Sequence, residues 1–148
     1  MIRKATEKDI PSLASLMGEL GYPTTSEEME TRFNKIQANP DYNTQVAEMN
    51  GEVIGMIGMI LGTHYERNDH YIRIVAFVVT SNYRNSGIGA ALLNKAEEWA
   101  IENHIVKLVL NSGNRDERDS AHQFYTNRGF EGKATGFYKI LPYDFDTN

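Results

Sequence analysis

Apolar residues in the first forty positions recur every three or four residues, which is the spacing of an amphipathic helix. One such pattern begins after Asp9 and stops at Gly21, and it predicts a first helix. Thr25 and Glu28 have the spacing of a capping box, so they predict the start of a second helix that ends before Pro40. The amino-terminal part of the chain is therefore expected to form two consecutive helices.

The middle of the chain has the pattern of β-strands. Residues 45–48 and 53–61 are predicted strands, and Asn50-Gly51 between them suits a tight hairpin turn because both residue types tolerate positive φ angles. Residues 71–79 are dense in β-branched and aromatic side chains, which predicts a central strand. A meander of antiparallel strands is expected here.

The remaining residues alternate between helix and strand. A helix is predicted from Gly87 onward, followed by a buried strand over residues 106–110. A short helix around Phe124 is expected to end at Gly129, and residues 137–141 are the predicted final strand. This element order is that of a mixed α/β chain without internal repeats.

Composition limits the kind of protein. The chain has 148 residues, 41% of them hydrophobic, and no cysteine, so we expect one domain over residues 1–148, without disulfides or a thiol nucleophile. The net charge of −5 disfavours nucleic acid as a partner. Neither a membrane-spanning apolar run nor the apolar core of a signal peptide is present, so a cytoplasmic location without membrane contact is expected.

One segment has a pattern with a chemical meaning. An apolar strand that ends at Val79 passes through a polar turn into a helix start with Gly87 and Gly89. The first turn of a helix presents unpaired backbone N–H groups and partial positive charge, and Arg84 adds a cation, so the segment suits a phosphate group. The alternative is a turn that only connects a strand to a helix. Leu92 stands where a dinucleotide-binding motif needs a third glycine, and the Gly-Lys pair of a P-loop is absent. Both observations argue against the nucleotide-binding folds that use similar glycine-rich turns.

A second motif accompanies this segment. The pattern Tyr-x-x-x-Gly-Phe begins at Tyr125 and follows the pattern Arg-x-x-Gly-x-Gly that begins at Arg84. With both motifs in this order, the chain resembles the GNAT superfamily of N-acetyltransferases over nearly its whole length. The resemblance implies an α+β fold in which a mixed, mostly antiparallel sheet splays open at its middle and is flanked by about four helices. It also implies acetyl-CoA as cosubstrate, no metal and a small-molecule or peptide amine as acceptor, and it allows a homodimer.

The resemblance also implies roles for individual residues. The glycine-rich turn would bind the pyrophosphate of acetyl-CoA, and the end of the preceding strand would contact the pantetheine arm. Tyr125 would protonate the departing thiolate, although its spacing alone is more typical of a core aromatic. Arg118 replaces an asparagine common in relatives, so Asn111 or Asn114 is expected to contact the cofactor instead. The residues expected to bind the cofactor are Phe77, Val78, Val79, Arg84, Asn85, Ser86, Gly87, Ile88, Gly89, Ala90, Asn111 and Asn114.

The general base departs from the family pattern. Many relatives carry a glutamate in the strand before the pyrophosphate turn, but residues 71–77 contain no carboxylate. His64, Glu66, Asp69 and His70 in the preceding loop are candidates for a base that acts through water, and an amine that arrives neutral is the alternative.

The acceptor and the competing function also stay open. Aromatic and acidic side chains near the expected acceptor pocket suit a cationic amine, and the substrate candidates are Tyr22, His64, Tyr65 and Asp69. Because the strand carboxylate is missing, an acyl-CoA-binding module without efficient catalysis is the competing function.

Overall fold

The computed structural model describes residues 1–111 and 119–143, and the chain divides into two compact units, Met1–Leu110 and Asn111–Asn148. The elements of the first unit are β1 (Ile2–Lys4), α1 (Ile10–Leu20), α2 (Ser26–Ala38), β2 (Tyr42–Met49), β3 (Glu52–Thr63), β4 (His70–Val79), α3 (Ile88–Glu102) and β5 (Leu108–Leu110). Single 3-10 turns occur at Glu7–Asp9 and Ser81–Tyr83, and the second unit contains α4 (Asp119–Thr126). In the described ranges, no helix has both the length and the apolar character that crossing a membrane requires.

A single sheet runs through the first unit in the order β1-β2-β3-β4-β5. The pairs from β1 to β4 are antiparallel, whereas β5 is parallel to β4. The predicted mixed, mostly antiparallel sheet is therefore confirmed. The parallel pairing joins residues 72–74 of β4 to Leu108–Leu110, so β4 continues to Val79 past the end of β5.

Helices cover both faces of this sheet. A buried cluster that includes Leu16, Phe33 and Met56 packs α1 and α2 onto one face. Gly55 precedes Met56 on β3. A Cβ added to Gly55 would lie 3.2 Å from Leu92 Cδ1 of α3. Since neighbouring residues of a strand point to opposite faces, α1 and α3 lie on opposite faces of the sheet. Gly55 thus allows α3 to pack closely against β3.

The local signals in the sequence act as predicted. Gly21 ends α1 with a φ of 107°. Thr25 Oγ1 accepts a hydrogen bond from Glu28 N, and Glu28 Oε1 accepts one from Thr25 N, both at 3.1 Å. Asn50 and Gly51 have φ angles of 52° and 80° in the turn between β2 and β3. The two predicted helices and the predicted hairpin are confirmed.

Two predicted strands differ from the structure. The strand predicted over residues 106–110 contains only Leu108–Leu110, and Val106 is 97% exposed. The strand predicted over residues 137–141 is wrong, because this segment is described without strand structure and Phe137 and Ile140 are 93% and 94% exposed. Apolar residues form a strand only where a neighbouring strand pairs with their backbone and a surface packs against their side chains.

The end of α3 carries a residue in a left-handed conformation. His104 has a φ of 58°, and Ile105 N donates to the Ala100 carbonyl oxygen at 2.8 Å, as in a Schellman motif. Glycine adopts this conformation without the steric cost that a side chain incurs. We expect His104→Gly to raise the free energy of unfolding by about 0.5–1 kcal/mol. Chemical denaturation measures the change, and His104→Ala, which retains a Cβ, should bring no such gain.

A buried ion pair joins β1 to the turn before α1. Asp9 is 4% exposed, and its two carboxylate oxygens accept hydrogen bonds of 2.8 Å from Nη1 and Nη2 of Arg3. Arg3 Nη2 also donates to Glu48 Oε1 of β2 at 2.7 Å. The hydrogen bonds from Arg3, followed by the one from the Thr6 backbone N–H, hold the pKa of the Asp9 carboxyl below its ordinary value.

The lowered pKa of Asp9 gives a testable pH dependence. The stabilisation is present above the pKa of unfolded aspartate and is lost as the pH falls through the lower pKa of the folded state. We expect Asp9→Asn to lower the free energy of unfolding at neutral pH by about 2–4 kcal/mol, and to make that free energy less dependent on pH below about 4. Chemical denaturation at neutral pH and below pH about 4 measures both effects. Glu7→Gln, at an exposed position, is the control. Wild-type stability in Asp9→Asn would contradict the role.

Candidate active site

The glycine-rich segment forms a tight loop between β4 and α3. The 3-10 turn Ser81–Tyr83 follows β4, and α3 begins at Ile88. Between these elements, Asn85 and Gly87 have left-handed backbone conformations, with φ angles of 64° and 88°. The predicted order of strand, turn and helix is confirmed.

The amino end of α3 has the properties of an anion site. Gly87 is the N-cap residue without a side-chain cap, and its carbonyl oxygen accepts the hydrogen bond from Ala91 N at 3.0 Å. The first N–H groups of a helix lack acceptors within the helix, and the first turn of α3 contains no acidic residue. Among the residues that the structure describes, a Cβ on Gly87 would meet no atom within 4 Å, so the space beside it is open. Left-handed residues in such a loop direct N–H groups into a concave site, which suits a phosphate group.

Polar side chains fix the path of this loop. Arg84 Nε donates to the Val79 carbonyl oxygen at 3.1 Å, and Arg84 Nη2 donates to Glu19 Oε2 of α1 at 3.4 Å. The Ser86 hydroxyl donates to the Tyr83 carbonyl oxygen. Glu19 was not predicted from the sequence, in which it lies 65 positions from Arg84. No local pattern links the two residues, and the tertiary fold alone brings them together.

β4 has an irregularity in its middle that the sequence did not predict. In the ladder with β3, Gly58 pairs with Ala76 and Met59 pairs with Ile74, so Val75 is an extra residue in β4. Such a bulge bends the strand and changes the direction of its side chains. It lies next to Ile74, the last residue of β4 that pairs with β5. The nearest sequence signal is Gly58, because glycine within a strand often marks a bulge.

The residues expected to contact the pantetheine arm follow this bulge. Val78 is buried in the cluster beneath α1, while Phe77 and Val79 are partly buried. All three lie on the part of β4 that continues past the end of β5. An extended ligand with amide groups fits beside a strand in this arrangement. The contact itself stays a prediction.

In the second unit, the Tyr-x-x-x-Gly-Phe motif forms the end of α4. Phe130 N donates to the Tyr125 carbonyl oxygen at 3.1 Å, and Gly129 N donates to that of Thr126 at 3.2 Å, which are the two bonds of a Schellman motif. Gly129 has a φ of 88°, and the rings of Tyr125 and Phe130 are 5.7 Å apart. The predicted helix end is confirmed. The spacing of the motif therefore has a structural cause: the glycine ends the helix and the phenylalanine packs against the tyrosine.

The acceptor candidates lie on two connections of the first unit. Tyr22 is 68% exposed between α1 and α2, and Tyr65 is fully exposed between β3 and β4. Asp69 accepts hydrogen bonds of 3.0 and 3.2 Å from Nε and Nη2 of Arg67. The hydrogen bonds from Arg67 are the main cause that holds the pKa of the Asp69 carboxyl below its ordinary value. Asp69 is therefore already paired with a cation.

His64 belongs to a compact group at the same connection. Its side chain is 13% exposed, and its Nδ1 lies 3.8 Å from Glu66 Oε1. The His64 ring lies 4.8 Å from the Tyr71 ring, and the Arg73 guanidinium lies 5.8 Å from the centre of that ring. In the part of the chain that the structure describes, the buried His64 Nε2 has no hydrogen-bond partner. Tyr71 and Arg73 were not predicted as site residues, although their spacing of two places them on one face of β4.

Two further candidates belong to the carboxyl-terminal unit. Asn111 is exposed, and Asn114 lies outside the described residues. Across residues 1–111 and 119–143, no group of three histidine, aspartate or glutamate side chains is arranged to hold a metal ion.

Comparison with known proteins identifies the family. The sequence pattern of the acetyltransferase (GNAT) family matches residues 10–130. An aminoalkylphosphonate N-acetyltransferase of Salmonella typhimurium is 30% identical over 143 residues, which cover 95% of this chain and 90% of that protein. An N-acetylaspartate synthetase of Xenopus tropicalis is 32% identical over 97 residues, but this match covers 66% of the chain and only 34% of that protein.

The comparison of folds agrees. A crystal structure of a GNAT family acetyltransferase from Staphylococcus aureus has a TM-score of 0.81 and 32% sequence identity, and the match covers 95% of this chain and 98% of that one. Both the sequence and the fold therefore match over most of the chain. The prediction from the two motifs is confirmed: the chain belongs to the acetyltransferase (GNAT) family and is an acyltransferase.

Proposed function

We propose that the chain transfers the acetyl group of acetyl-CoA directly to a primary amine of a small molecule or peptide. The observation that carries this proposal is the loop between β4 and α3, which combines the left-handed Gly87, the amino end of α3 and the Arg84 guanidinium. The GNAT family uses acetyl-CoA, whose pyrophosphate is an anion of the kind that such a loop binds.

Each part of acetyl-CoA has its own residues in this proposal. The pyrophosphate lies on residues 84–90, and the pantetheine arm lies along residues 77–79 of β4. The continuation of β4 past β5 supports this arrangement, since an extended arm with amide groups can pair with a strand. A backbone N–H group of β4 would polarise the thioester carbonyl. Asn111 and Asn114 are proposed as further contacts.

The reaction requires a neutral amine, a polarised thioester and a proton for the departing sulfur. The amine nitrogen attacks the carbonyl carbon, the carbon–sulfur bond breaks, and an N-acetyl amine and the free thiol of CoA are formed. The attacking nitrogen loses one proton to water, and Tyr125 donates its hydroxyl proton to the sulfur and regains a proton from solvent. The chain contains no cysteine, which is consistent with direct transfer.

The candidate acceptors for the proton of the amine lie on the connection between β3 and β4. His64 Nε2 is buried, and Asp69 is bonded to Arg67. Because it is paired with a cation, Asp69 is poorly suited to accept a proton in this conformation. Glu66 is 73% exposed and lies beside His64. Glu66 stays the candidate base, and the alternative is an amine that reaches the thioester already neutral and loses its remaining proton to water after the attack.

The acceptor is proposed to be a small amine with further polar or charged groups. The relative from Salmonella typhimurium is named for an aminoalkylphosphonate, which supports this choice. Tyr22, His64, Tyr65 and Asp69 are the proposed contacts. A cytoplasmic location and a homodimer stay predictions.

An acyl-CoA-binding module is the second candidate function. It is favoured by residues 71–77 of β4, which carry no carboxylate that could act as a base. Release of free thiol from acetyl-CoA separates the acetyltransferase from the binding module. It is measured with polyamines, amino acids, aminoglycosides, aminoalkylphosphonates and peptides. We expect thiol release that depends on at least one amine class. Tight CoA binding without thiol release for any class would favour the module.

A further inference from the structure

We propose that Glu19 of α1 positions Arg84 for binding the pyrophosphate of acetyl-CoA, an inference that rests on the proposed function. Glu19 would act on the cofactor only through Arg84, so it is a positioning residue. The consequence is that α1, which contributes no residue to the family motif, takes part in recognition of the cofactor.

The Arg84 guanidinium is held by two acceptors from different elements. Its Nε donates to the Val79 carbonyl oxygen at the end of β4, at 3.1 Å, and its Nη2 donates to Glu19 Oε2 at 3.4 Å. Both donors belong to one planar, rigid group, so the two contacts fix its orientation as well as its position. Within the described residues, these contacts use two of its five N–H donors, which leaves the others for an anion.

The contact between Glu19 and Arg84 lies beside an open groove. This groove, of about 880 Å³, separates α1 from the residues that follow β4, and its wall includes Ser15, Glu19, Glu52 and Tyr83. Arg84 is therefore held from the α1 side by a direct hydrogen bond rather than by close packing. Removal of the Glu19 carboxylate would release that side of the guanidinium.

The exposure of the pair distinguishes positioning from stability. The side chains of Glu19 and Arg84 are 34% and 54% exposed, and exposed ion pairs contribute little to folding stability. Fixing a long side chain before binding, however, reduces the entropy loss that binding entails. Glu19 also offsets part of the positive charge of Arg84, which opposes phosphate binding. Water and salt screen exposed charges, so we expect the gain from fixing the orientation of Arg84 to exceed the loss from the offset charge.

Two variants of Glu19 separate these effects. Glu19→Ala removes the hydrogen bond and the charge, whereas Glu19→Gln removes the charge and retains an oxygen that can accept from Arg84. In calorimetric titration with CoA, we expect Glu19→Ala to raise the Kd about 3- to 10-fold and Glu19→Gln to leave it within about twofold. Glu98→Ala is the matched control, because it removes an exposed glutamate that is paired with Lys95 at 3.1 Å. It should leave the Kd unchanged.

A double variant tests whether Glu19 acts through Arg84. In the Arg84→Ala background, Glu19→Ala should cause no further change in the Kd for CoA. An unchanged or lower Kd in Glu19→Ala alone overturns the proposal, and so does an equal rise with and without Arg84. A wild-type protein that fails to bind CoA overturns the proposed function and this inference together. Failure of the proposed function is therefore seen with the wild-type protein alone, whereas failure of this inference alone is seen only with the Glu19 variants.

Discussion

Replacement of Gly87 by aspartate is expected to weaken CoA binding at least about 100-fold. A carboxylate about 4 Å from a phosphate charge costs about 4 kcal/mol at an effective dielectric constant of about 20, and about 1.4 kcal/mol corresponds to a tenfold change in Kd. A Cβ on Gly87 would meet no atom of residues 1–111 and 119–143 within 4 Å, so a clash with these residues is not the cause. Calorimetric titration with CoA measures the effect.

Gly87→Asn is the matched control for this prediction. Asparagine has nearly the same shape as aspartate and also adopts left-handed conformations, but it carries no charge. We expect Gly87→Asn to weaken binding less than about tenfold, because it retains the loop conformation without the repulsion. Equal weakening by asparagine and aspartate would mean that no anion lies beside residue 87.

Replacement of Tyr125 by phenylalanine is expected to lower kcat about 100-fold or more, the usual contribution of a general acid. The phenylalanine keeps the ring that packs 5.7 Å from Phe130, so the end of α4 should retain its conformation. The Kd for CoA should stay within about twofold, since the hydroxyl is assigned to proton transfer rather than to binding. Steady-state thiol release and calorimetric titration of the same samples measure both quantities.

Tyr138→Phe is the control for the loss of a hydroxyl. Tyr138 is 83% exposed in the same unit and has no proposed role in transfer. Its kcat should equal that of the wild type. A Tyr125→Phe variant with wild-type kcat would remove Tyr125 from the mechanism, and the proton for sulfur would then have to come from solvent.

The parts of the fold that sequence predicts well are those with local causes. Gly21 ends α1, Thr25 caps α2, and Asn50-Gly51 forms the hairpin turn, each through backbone conformations or hydrogen bonds within a few residues. The glycine-rich loop belongs to the same class, because the conformation of Gly87 and the start of α3 follow from its own residues.

The parts that sequence predicts poorly depend on distant partners. The bulge at Val75 arises from the register between β3 and β4, which no single strand specifies. The predicted strand over residues 137–141 has suitable side chains, but strand formation requires a neighbouring strand as well as propensity. Similarly, the hydrogen bond between Glu19 and Arg84 joins residues 65 positions apart. Contacts of this kind require the tertiary structure.

The Tyr-x-x-x-Gly-Phe motif has both a structural explanation and a proposed catalytic one. Its glycine and phenylalanine are explained by the Schellman motif at the end of α4, where Gly129 has a φ of 88°. The same helix end would hold a tyrosine whether or not its hydroxyl takes part in a reaction. Sequence therefore predicts the position of Tyr125 on α4, while its catalytic role depends on the kinetic test.

Direct acetyl transfer to an amine is tested by measuring both products of the reaction with the wild-type protein. For the amine class that supports the fastest thiol release, mass spectrometry quantifies the N-acetylated amine while a thiol reagent quantifies free CoA. We expect equal amounts of both products, formed only when acetyl-CoA and amine are present together. Thiol release without acetylation of the amine, or CoA binding without release for any amine, would contradict direct transfer.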